Sequence, residues 1–233
     1  MVLAALAAHA PFDAHAQGPV WDWMKTQDAG SNEYVRDIAV ETATGNIYAV
    51  GTYTSNSGTP PPFNLPPTAG SADAFIVKLG PAGNLLWSKA IGSNQPDAAM
   101  GVAVGPSGHV AITGYHLASI PTLGLGHVGN SDAFVSLFDP NGAHIWSKNI
   151  AGSQNDEGTS VVITKNQGVA FGSFTNQGSL TGVLSSLGLT LGRRYAYLNA
   201  FDLAGTNSWS LVGSSNSDIL SERIAADANT VYV

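Results

Sequence analysis

His116 and His127 occupy one connecting segment of the chain, close enough in sequence for two imidazoles to meet one ligand. The other histidines, His9, His15, His109 and His144, share no ligand spacing with them, and a metal ion needs several donors converging on one point. No metal and no cofactor is therefore expected. Asp97 and Asp156 each stand ten residues after a tryptophan, with Glu33 at the matching place after Trp23, while Asp73 and Asp132 each open a D-A-F segment. Carboxylates at such a period could ring a hard cation. They would repeat as faithfully if each accepted backbone N–H groups at a turn, and Tyr195 breaks the Asp73/Asp132 series, so a structural role is expected. Arg193 and Arg194 form the chain's adjacent basic pair, suited to a carboxylate or sulfate group or to a solvated turn. His116, His127, Arg193, Arg194, Asp97 and Asp156 are the candidate binding residues. No catalytic residue is assigned, since no G-x-S-x-G elbow or matched Ser/His/Asp set is present. Residues 124–129 (GLGHVG) match G-x-G-x-x-G but lead into another strand rather than a helix, so the phosphate-binding use of that motif is not expected.

The elements that would hold these residues repeat. Trp23, Trp87, Trp146 and Trp209 are 64, 59 and 63 residues apart. Sixteen residues beyond each lies an apolar triplet: Ile38-Ala39-Val40, Val102-Ala103-Val104, Val161-Val162-Ile163 and Ile224-Ala225-Ala226. Four residues before the last three tryptophans stand Gly83, Gly142 and Gly205. Such a period calls for a repeat architecture. Each unit reads as four short strands: the triplet; a strand ending in an aromatic (Tyr53, Tyr115, Phe174); the D-A-F strand; and the tryptophan strand. Gly-Pro-Ala-Gly at 80–83 and Asp-Pro-Asn-Gly at 139–142 are turn sequences, so the third and fourth strands should form a hairpin. In the third strand Phe75, Val77 and Leu79 face one side and Ala74 and Ile76 the other, so both faces must be covered. Four-stranded sheets sandwiched between copies of themselves describe β-propeller blades. A β-solenoid has shorter coils, and a tandem array of small sandwiches is the other rival.

The expected fold is thus an all-β propeller of about 60-residue four-stranded blades. Complete blades are placed at 35–91, 98–150 and 158–212, with an incomplete one at 219–233 and a lone fourth strand around Trp23. Three complete blades and two halves do not close a ring, for which at least about four are typical, so the chain is expected to be a fragment. Residues 2–8 (VLAALAA) and the A-x-A stretch Ala14-His15-Ala16 read as a truncated signal peptide over 1–16, leaving 17–233 as the propeller; a disordered Ala-rich tail is the other reading. A net charge of −7 with nine basic residues leaves no stripe for nucleic acid, and no apolar run is long enough for a membrane helix. The absence of cysteine rules out disulfides and thiolate sites.

The order W-[SA]-K-x-[IA]-x-G-S, D, the apolar triplet, G-N-[IV]-Y-x-x-G-x-Y, D-A-F-[IV]-x-[KL]-[LFY] and a Gly turn back to Trp resembles the SBBP family of bacterial β-propeller repeats from Trp23 to Val233. Tyr195-Ala196-Tyr197, where the motif has D-A-F, departs from it. The resemblance implies an extracellular or surface protein, often multidomain, sometimes with a C-terminal sorting domain, and it carries no catalytic residue. The functional expectation is a non-enzymatic scaffold whose long second-to-third strand connections (54–72, 116–131, 175–194) meet a protein or glycan. The alternative is an accessory propeller of a larger secreted hydrolase or adhesin. The periodic tryptophans could stack on sugars, but packing between blades explains their regularity better. A channel-centred enzyme is disfavoured because the innermost triplets are apolar in every unit.

Overall fold

The computed structural model describes residues 2–5, 23–26, 32–55, 62–164, 167–176, 181–182, 193–213, 223–226 and 231–232. The stretch 14–16, expected as a cleavage site, and the side chains of Trp23, Arg193 and Arg194 lie outside them. Among the described residues the chain is all-β, with two single 3-10 turns and no α-helix.

Three antiparallel sheets follow one another. The first contains β3 (Glu33–Val40), β4 (Ile47–Tyr53), β5 (Asp73–Leu79) and β6 (Leu85–Ile91), in that spatial order. The second contains β7 (Asp97–Val104), β8 (Val110–His116), β9 (Asp132–Phe138) and β10 (His144–Ala151). The third contains β11 (Asp156–Ile163), β12 (Gln167–Asn176), β14 (Arg193–Asp202) and β15 (Asn207–Gly213). Between β12 and β14, the short β13 (Thr181–Gly182) reaches back and pairs with β10, covering the outer edge of the second sheet. Two hairpins flank this series: β1 (Val2–Ala5) with β2 (Trp23–Thr26), and β16 (Ala225–Ala226) with β17 (Val231–Tyr232).

Within each sheet the hairpin joining the third and fourth strands is closed by the turn sequence. The Asp139 carboxylate accepts the N–H groups of Asn141 and Ala143 at 2.9 and 2.7 Å, and Asp202 does the same for Ala204 and Thr206. A side chain thereby supplies the acceptor that a longer ladder would have provided. Gly142 and Gly205 take left-handed backbone (φ 80° and 79°) at these turns.

Those two glycines also explain the tryptophan period. The Trp87 ring lies against Gly142 and the Trp146 ring against Gly205, close enough that an added Cβ would stand about 3 Å from the indole in each case. The indole N–H groups donate to Pro140 O (3.2 Å) and Leu203 O (3.0 Å) of the same turns. Trp87 and Trp146 therefore each belong to one sheet and dock on the hairpin turn of the next. Gly142→Ala meets both a positive φ and a ring that cannot retreat, so it is expected to destabilise by about 2 kcal/mol or more. A thermal melt reads this, and an unchanged midpoint would refute the docking.

Packing between sheets follows the same step. Tyr48, Val50, Ala74 and Ile76 of the first sheet form one buried cluster with Ala99, Val102, Val110 and Ile112 of the second. Ala111, Val135, Leu137 and Trp146 of the second do so with Val161 and Phe201 of the third. Both faces of the second sheet are consequently covered, which is why β9 is buried at every residue; β5 is equally buried because the second sheet packs on one of its faces and Phe63 and Leu65 of the connection on the other. Main-chain bonds reinforce each seam: Asp97 N donates to Ala72 O (3.0 Å) and Asp156 N to Ser131 O (2.8 Å).

The registers place the second strands differently from the sequence pattern. Tyr53 pairs with Asp73, and His116, not Tyr115, pairs with Asp132. The hairpin between the first and second strands differs in length from unit to unit, so Ala49 corresponds to Ile112 rather than Ala111. A slip of one residue sends every side chain to the other face. His116 thus takes the buried position that Tyr53 holds in the first unit, and Tyr115 is only half-buried.

Candidate functional site

The connections from second to third strand and from fourth to first strand meet at one end of each sheet, where the third strand begins. In the first unit Asp73 accepts Ala69 N at 2.9 Å, and its carboxylate packs so closely on Gly92 that no side chain fits there. Across the seam Asp97 accepts Ser93 N at 2.5 Å and Ser93 Oγ at 3.1 Å. One unit later Asp132 accepts Val128 N (2.7 Å) and Gly129 N (3.1 Å), and Asp156 accepts Gly152 N. All four carboxylates are buried. Asp97 and Asp156 are therefore strand-end residues that fold the incoming connection, and neither is displayed on a loop.

Their environment raises their affinity for protons. Burial, opposed by the Ser93 hydrogen bonds and helped by the nearby Asp73 charge, pushes Asp97 up to about 6. Burial, opposed by the Gly152 N–H and helped by Asp132, pushes Asp156 up to about 8. Burial also raises Asp73. Asp156 Oδ1 is enclosed with no hydrogen-bond partner, a position a protonated or neutral group fits better than a carboxylate.

At the second of these corners the histidines join. His116, at the end of β8, turns Nδ1 toward Ala118 O (2.8 Å) and Nε2 toward Asn149 Oδ1 (2.9 Å). The Asn149 orientation is fixed because its amide donates to Gly126 O. Both His116 nitrogens therefore face acceptors. His127 stands beside it, ring centroids 5.9 Å apart, with Nδ1 3.3 Å from Asp132 Oδ2. The ligand atoms of His116, His127 and Asp132 lie within 4.8 Å of one another, a donor set that suits a transition metal by type. The geometry suits it less: a His116 nitrogen that donates a hydrogen bond has no lone pair to offer. The arrangement as it stands ties the connection 117–131 to β9 and β10, with His127 partly open to solvent.

The G-x-G-x-x-G stretch lies in that connection. It follows a single 3-10 turn (Pro121–Leu123), closes on an Ile120–Leu125 bridge and delivers Gly129 N to Asp132, so no helix N-terminus stands behind it. For Arg193 and Arg194 the backbone pairing is described, opposite Asn176 and Thr175, which puts them at the same end of the third sheet.

Sequence reasoning brought His116 and His127 to one connection but did not find Asn149, the residue that fixes His116. Asn149 occupies the position held by Ala90 in the first unit and Val212 in the third, each opposite the aromatic of the D-A-F segment or its Tyr197 counterpart. That substitution within an otherwise regular repeat is the signal that could have revealed it.

No protein-family model matches the chain. It is 27% identical over 174 residues to the regulatory protein FlaEY of Caulobacter vibrioides, covering 72% of this chain and 18% of that protein. It is 24% identical over 151 residues to a WD repeat-containing protein of Acanthamoeba polyphaga mimivirus, covering 57% of this chain and 11% of that protein. The chain thus spans less than a fifth of either relative. Among solved structures, an apocarotenoid oxygenase from Synechocystis superposes with a TM-score of 0.41 at 13% identity, covering 86% of this chain and 43% of that one.

Proposed function

We propose that the three sheets are blades of a β-propeller and that the chain is a non-enzymatic interaction module presenting its second-to-third and fourth-to-first connections to a protein or glycan. One observation carries this reading. Residues at the seams repeat, while at that end, beside the recurring aspartates, other equivalent positions differ: Tyr53, His116 and Phe174 correspond, as do Ala90, Asn149 and Val212. Scaffolds repeat what packs and vary what recognises. The similarity to a WD repeat-containing protein is in keeping with blades.

A second reading, an accessory module within a longer secreted hydrolase or adhesin, is favoured by the length of the relatives, of which the chain matches 18% and 11%. Both readings put recognition at the same face. A glycan array probed with the 233-residue chain is expected to retain a defined subset of glycans. His127→Ala should weaken retention about tenfold, near 1.4 kcal/mol, and Leu86→Ala on the outer strand should leave it unchanged. Absence of retention at high concentration would remove the glycan partner and leave a protein one.

A further inference from the structure

We infer that the two flanking hairpins are the halves of one further blade, and that β17 pairs with β1 to close a four-bladed ring. Beyond the interaction reading, this identifies the partner of an apolar surface on the first sheet.

The registers supply the first argument. In the complete sheets the tryptophan of the fourth strand opposes a fixed position of the third: Trp87 opposes Lys78, Trp146 opposes Leu137 and Trp209 opposes Ala200. Trp23 of β2 opposes Ala5 of β1, and the next three pairs keep the same step. The tryptophan strand β2 thus has an antiparallel partner in β1, as each fourth strand has in its third. Ala225 of β16 opposes Tyr232 of β17 as Ala39 of β3 opposes Tyr48 of β4, so β16–β17 has the register of first and second strands. One hairpin holds what the other lacks.

Exposure gives the second argument. Ile38, Val102, Val161 and Ile224 occupy one position in four successive units. The last three are 5%, 5% and 8% exposed because a preceding sheet covers them, while Ile38 is 48% exposed, with Tyr34 and Val40 open on the same strand. Farther out on that face Ala49, Val77 and Leu79 are buried. The uncovered strip is thus the innermost strand, which first and second strands of a preceding blade would cover.

A repeated contact between neighbours gives the third. The residue before Ile38, Asp37, accepts Val102 N of the next unit at 3.0 Å, and its counterpart Ser160 accepts Ile224 N of the unit after its own at 3.2 Å. Arg223 holds that position in the fourth unit, and its guanidinium reaches Asp37 of the first at 3.5 Å. The position that elsewhere bonds to the main chain of the following unit here forms an ion pair between the fourth unit and the first. Four blades are within the range that closes a ring.

Closure predicts that Tyr232 opposes Ala5, as Tyr48 opposes Lys78. It uses residues 2–5 as a strand. Because the chain has no cysteine, the register can be tested by introduced thiols. Directly opposed residues in an antiparallel pair have Cα atoms about 4.5–5.5 Å apart, within disulfide reach. The double variant Ala5→Cys, Tyr232→Cys is expected to oxidise to a monomeric intramolecular disulfide, faster than the displaced pair Leu3→Cys, Tyr232→Cys. A folded protein with no crosslink, or with only intermolecular ones, overturns closure. A single-thiol measurement guards against a misfolded double variant. Ile38 and Leu86 are equally exposed at 48% in the open arrangement, so Ile38→Cys should react with a maleimide at least about tenfold more slowly than Leu86→Cys if the fourth blade covers it. Equal rates overturn the proposal. Neither result bears on which ligand the loop-rich face binds.

Discussion

Trp146→Ala is expected to be among the most damaging single substitutions in the chain, costing about 3–5 kcal/mol of unfolding free energy. The indole is buried between the second and third sheets, packs on Phe201 with ring centroids 5.5 Å apart, and donates to Leu203 O. Truncation leaves a cavity where the rigid turn at Gly205 cannot follow, and it strands a carbonyl that has lost its donor. Trp146→Phe restores most of the volume without the N–H and should recover more than half of the loss. In a chain of this size about 1 kcal/mol shifts the melting midpoint by roughly 2–4 °C, so the alanine variant should melt at least about 6 °C lower. If alanine and phenylalanine variants melt alike, the tryptophan acts through its hydrogen bond and not by packing.

The second large effect is a fall in stability with rising pH across neutrality. In the unfolded chain Asp97 and Asp156 release their protons near the ordinary 3.8, whereas in the fold they hold them to about 6 and about 8. Between those limits the folded state carries protons that the unfolded state has lost. Stability is therefore fully present below about pH 3, declines from about pH 4 through 6 and 8, and levels above. The total is on the order of a few kcal/mol, greater for Asp156. Asp156→Asn keeps an oxygen for Gly152 N–H and removes the ionisation. The variant should match the parent near pH 3 and exceed it by a margin that grows up to about pH 8, leaving only the decline that Asp97 contributes up to about pH 6. Parallel pH profiles for the two proteins would show that Asp156 is ionised in the fold throughout.

The repeat was legible in the sequence because its markers are packing residues whose chemistry is local: tryptophan against glycine, aspartate at a turn, apolar triplets every unit. Position 116 was hidden for a physical reason. The turns between first and second strands vary in length, and a pattern of small and apolar residues tolerates a slip of one, whereas hydrogen-bond registers do not. Periodic aspartates look the same whether they bind an ion or fold a connection, and only burial at Asp97 and Asp156 separates the two. The seam bonds from Asp97 N and Asp156 N are main-chain bonds and leave no mark in residue type.

The docking of Trp87 and Trp146 on their neighbours' turns makes the two seams optically separable. Trp87 and Trp146 emit from the first and second interfaces, while Trp209 is 39% exposed and should emit at longer wavelength. Keeping one indole at a time, with phenylalanine at the others, would give a fluorescence signal for each junction. Denaturant titrations of such variants would then show whether the sheets part together or in order along the chain.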